Sequence, residues 1–132
     1  MSVADASPRW PEARAQKFRQ AAFTYLHVGL LYEFAVFVLW REGFFPTARG
    51  PAEIWLLLGA AITLFVMWGL LRWQNVHFAR LIWALHSLRL PTLIANGFFP
   101  SPDAAVSPTL FIAAIPIVLL NMWMLARAAW DL

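Results

Sequence analysis

The chain contains no cysteine. That excludes disulfides, thiolate metal sites, iron–sulfur clusters and thiol redox chemistry, whichever compartment its loops face. Charge is scarce too. Asp, Glu, Lys and Arg make up 13% of the 132 residues, against about 25% in a soluble domain. So sparse a set does not cover a water-facing surface, and a 61% hydrophobic composition excludes disorder. Carboxylates number seven, and only Glu33 lies well inside an apolar run. One buried glutamate is too few for metal hydrolysis, which needs clustered ligands, so no metal site is expected. No aspartate shares the depth of Ser87 and the histidines, so no Ser-His-Asp set is formed. Phosphate-binding glycine loops are absent.

What the chain has is long apolar runs. Four read as membrane-spanning helices: approximately 18–42, 54–73, 78–99 and 109–128. Each is close to the roughly 20 residues a helix needs to cross a bilayer. The fold class expected is therefore all-α, an integral membrane four-helix bundle in one domain. Residues 1–10 read as a frayed tail. Pro11 and Glu12 suit a first helical turn, and the basic stretch after them runs straight into the first span. Trp10 and Phe18 are expected at headgroup level. The first apolar run is longer than the roughly 7–15 residues of a signal-peptide core, so no cleavable signal is expected.

Orientation follows from charge. Arg9, Arg14, Lys17, Arg19, Arg72, Arg80 and Arg127 fall on one side, and only Arg41 and Arg49 on the other. The positive-inside rule then places both termini and the 74–77 link in the cytoplasm of a bacterial-type inner membrane. The basic balance is read as contact with the lipid bilayer, not nucleic acid.

Gly43-Phe44-Phe45-Pro46 recurs as Gly97-Phe98-Phe99-Pro100, 54 residues on. One reading is two tandem helical hairpins, related by an axis along the membrane normal. The other is that Gly, aromatics and Pro are common where helices leave a bilayer. Taken as a ruler of depth, the motif puts Glu33 ten residues from its glycine, Arg89 eight and His86 eleven. At about 1.5 Å per residue these lie within roughly one turn of each other. His86 and Arg89 share a face at i,i+3.

An arginine in mid-span needs a partner, and Glu33 is the natural one. The pair reads either as a lock on helix register or as a gated ion or proton site. Pro91 and Pro116 remove amide donors near Ser87 and Ile112, and such kinks line cavities in some transporters. His27 and His86 invite a tetrapyrrole, but the ruler puts His27, sixteen residues before Gly43, more than a turn from His86. A buried His86 bonded to Glu33, Ser87 or Asn121 is the simpler expectation, with no cofactor. Gly59, Ala60, Thr63 and Gly69 are small enough to admit close helix contact.

These residues carry no catalytic set. The function expected is a non-enzymatic accessory or scaffold subunit, partnered by other membrane subunits or by itself. The alternatives are a small oligomeric carrier or channel using Glu33 and Arg89, and a haem- or quinone-binding redox subunit using His27, His86 and Arg89. The chain resembles the small multidrug-resistance transporters in its four short spans and in Glu33 on the first. That resemblance implies an oligomeric carrier. It extends to no longer motif, and the strong charge asymmetry and long basic N-terminus depart from it.

Overall fold

The computed structural model describes residues 9–43, 52–103 and 107–132, apart from the side chains of residues 9–11 and 52. Four helices account for nearly all of them: α1 Arg9–Arg41, α2 Ala52–Trp73, α3 Val76–Phe98 and α4 Pro108–Trp130. Three of these, α1, α2 and α4, are long and apolar enough to cross a membrane, which suggests membrane localisation. The third helix is long enough at 23 residues. It is less apolar because His77, Arg80, His86, Ser87, Arg89, Thr92 and Asn96 all fall within it.

Helices α1 and α2 pack closely, as do α3 and α4, and α1 also packs on α4. The chain thus makes two hairpins side by side. Helices α2 and α3 are joined by only Gln74-Asn75, yet approach each other little. Gln74 takes a positive φ of 46° to turn the chain. Asn75 then caps α3, its side chain accepting from the His77 amide at 2.7 Å, which satisfies a donor the helix start would leave open. Every fully buried residue of α2 lies at or after Thr63, so α2 parts from α3 away from the link.

Two apolar clusters hold the bundle. The larger lies at the end carrying the termini and joins Phe18, Ala21, Ala22 and Tyr25 to Leu70, Ile82, Leu125 and Ala129. The smaller lies further along, with Leu93, Ala114 and Val118. Phe18 is 0% exposed and so faces the interior of the bundle. The reason is its helical face: Phe18, Ala21, Ala22 and Tyr25 recur at i, i+3, i+4 and i+7, the inward stripe of an amphipathic helix. Of the expected frayed tail, residues 1–8 lie outside the described residues, as does the first Phe-Phe-Pro, while Arg9 and Trp10 are helical and open α1. Gly43 ends α1 in a turn at φ 83°, whereas Gly97 sits inside α3 against Ile112. The two copies of the motif therefore begin differently. Pro91 and Pro116 lie within continuous helices, both on exposed faces.

Candidate functional site

Between the two apolar clusters lies a cavity of about 50 Å³ reached by all four helices. Helix α1 contributes Tyr25, Gly29, Tyr32 and Glu33, again the i, i+4, i+7, i+8 face of one stripe. Helix α2 contributes Thr63, and α3 contributes His86 and Arg89. Helix α4 closes it with Ala114, Ile117, Val118 and Asn121. The volume admits a few waters and no organic solute.

The site is built on close helix contact. A β-carbon at Gly29 would stand 2.9 Å from Thr63 Cγ2, and one at Gly59 would collide with the Glu33 carboxyl group. Helix α1 thus lays Gly29 against Thr63 and Glu33 against Gly59, four residues apart on each helix. Thr63 Oγ1 in turn donates to the Gly59 carbonyl at 2.9 Å, which keeps the hydroxyl satisfied on its own helix. Of the small residues expected to admit close contact, Gly59 and Thr63 do so against α1.

His86 is 8% exposed and bonds Tyr25, Nε2 to the phenol oxygen at 3.0 Å. Its partner is thus neither Glu33, Ser87 nor Asn121. Nδ1 of His86 and Oδ1 of Asn121 are buried without a hydrogen-bond partner. Both residues line the cavity. Buried polar atoms of this kind are costly unless satisfied.

Four of the expected site residues therefore come together: Glu33, Arg89, His86 and Asn121. Two do not. Ser87 turns back to the Ala84 carbonyl at 2.7 Å. His27 is exposed on the outer face of α1 and bonds the Phe23 carbonyl at 2.7 Å. The two histidines thus face different surroundings and do not flank a common space. Among the described residues no three His, Asp or Glu side chains gather to hold a metal ion.

Glu33 and Arg89 line one cavity, yet among the described residues the ion pair within 4.0 Å is Lys17 with Asp131, not Glu33 with Arg89. The register on the α4 side of the bundle accounts for this. Tyr25 meets His86, an offset of 61 residues, where the repeat implied 54. Contacts through α4 agree to within about a residue: Arg127 meets Gln20, and Arg80 meets the carbonyl of Ala129. Seven residues amount to about two turns, or roughly 10 Å. Glu33 is then level with about Ile94, five residues beyond Arg89 and roughly 7.5 Å further along the axis. The same shift brings His27 level with His86, contrary to the sequence ruler, although on the opposite side of α1. Tyr25 and Tyr32, the only two tyrosines, line the cavity without being conspicuous in the sequence. Their spacing of seven, on the stripe of Glu33, was the available signal. No family model, curated protein or solved structure matches the chain.

Proposed function

We propose that the chain is a small multi-pass protein of a bacterial-type inner membrane, with both termini cytoplasmic, and that it serves as a non-enzymatic accessory or scaffold subunit of a larger membrane complex. The observation that carries this reading is the size of the interior: a cavity of about 50 Å³ leaves the outer helix faces as the surface on which a partner would be met. Those faces are rich in large apolar groups, Leu31, Phe34, Leu57, Phe65 and Leu88 among them. The asymmetry of Lys and Arg supports the orientation. Purification in mild detergent followed by mass spectrometry tests the reading. Co-purification with a larger assembly is expected, and a stable lone monomer would count against it.

A second reading is favoured by one specific observation: Glu33 and Arg89 share the cavity without pairing. A register lock would join them directly, whereas a site that takes up a proton or a water-sized ion keeps them apart. In this reading a water accepts from or donates to His86 Nδ1 and donates to Asn121 Oδ1, and the chain works as a small carrier or channel. Proteoliposomes loaded with a pH-sensitive dye test it. Glu33→Gln is expected to abolish any proton uptake shown by the parent chain, and unchanged uptake would remove the idea.

A further inference from the structure

At the end carrying the termini, α1 and α4 frame an open groove lined by Gln16, Arg19, Gln20, Phe23, Met124 and Arg127. We infer that this groove binds the headgroup of one anionic phospholipid, its phosphate held between Arg19 and Arg127. The inference rests on the membrane reading above.

Charge is the first argument. Lys17 is already neutralised by Asp131 at 2.6 Å. Arg127 gives one N–H to Gln20 Oε1 at 3.1 Å and keeps other donors of its fork free. Arg19 is exposed and bonds no described residue. The groove thus carries two guanidinium groups and no carboxylate, the arrangement that suits a phosphate.

The second argument is the order of chemistry along the groove. Phe23 lies four residues after Arg19, and Met124 three before Arg127. Because α1 and α4 run antiparallel, both steps lead the same way, toward the middle of the bundle. Over about one turn, roughly 5 Å, the lining passes from cationic to apolar. A phospholipid has the same order, phosphate then glycerol then acyl chain. Free phosphate would use the arginines and leave the apolar floor unused.

The test uses the full chain in mild detergent. Binding of phosphatidylglycerol and of phosphatidylcholine with identical acyl chains is measured by native mass spectrometry, with inorganic phosphate as a competitor. Phosphatidylglycerol is expected to bind more tightly than phosphatidylcholine. Arg19→Gln alone, an exposed change that spares folding, is expected to weaken it about fivefold, and Arg19→Gln with Arg127→Gln about 25-fold. The charge-matched Arg14→Gln with Arg72→Gln lies off the groove and is expected to stay within about twofold of the parent. Equal loss in the two double variants would mean diffuse attraction and overturn the site. Equal binding of the two lipids, or full displacement by inorganic phosphate, would overturn it as well. Recovery of the chain from the soluble fraction without detergent would instead refute the membrane reading.

Discussion

The register of α1 against α3 is open to a sharp test, because the two candidate offsets name different partners for the same histidine. An offset of 61 pairs His86 with Tyr25. An offset of 54 would set it level with Tyr32, which also borders the cavity. The perturbation is a pair of double-mutant cycles, Tyr25→Phe with His86→Leu and Tyr32→Phe with His86→Leu. Removing the Tyr25 hydroxyl leaves a buried imidazole without its partner, at a cost of about 1–3 kcal/mol. The coupling within the cycle is expected to be smaller, about 0.6 and at most about 1.7 kcal/mol, because a chain unfolded within a membrane also finds partners. Unfolding in mixed micelles, followed by the fluorescence of the eight tryptophans, supplies the four free energies of each cycle. The Tyr25 cycle is expected to couple, and the Tyr32 cycle to be additive within about 0.3–0.5 kcal/mol. Coupling to Tyr32 with additivity at Tyr25 would show that α3 stands two turns from its assigned place.

Two further outcomes follow. Gly29→Ala puts a methyl group 2.9 Å from Thr63 Cγ2 and is expected to destabilise by about 1–3 kcal/mol, with Thr63→Ser, which deletes that methyl, restoring most of the loss in the same unfolding assay. Gly59→Ala, whose neighbour is the movable end of Glu33, is expected to cost well under that, and equal losses at the two glycines would refute the packing described. Since the chain has no cysteine, Asn75→Cys and Ser101→Cys report sidedness directly: an impermeant thiol reagent added to intact cells is expected to label position 101 and not 75, and the reverse pattern would invert the proposed orientation.

The helices were legible from the sequence because long apolar runs admit few other structures. The expected 54–73, 78–99 and 109–128 lie within about two residues of α2, α3 and α4. The earlier start of α1 was legible too, since nothing after Pro11 breaks the basic stretch. Depth was not. The ruler assumed that Gly43 and Gly97 both mark a helix end, but α3 carries Gly97 inside it while α1 stops short of Gly43. Register is set by packing, here of Phe18, Ala21 and Ala22 in one cluster with Leu125, Ala128 and Ala129, and no local pattern records which alanine meets which. The four gathered site residues were found because ionisable or amide groups are conspicuous in apolar runs. His27 was conspicuous for the same reason, yet a helix can turn such a residue outward and bond it to a carbonyl one turn back, here that of Phe23.

The opening half of α2, from Glu53 to Ile62, has no fully buried residue and leans on α1 alone. Pulling it aside therefore sacrifices one set of contacts, whereas α1 and α4 each pack on two neighbours. It is a loose stave of the barrel, fastened at its foot by Gln74 and Asn75.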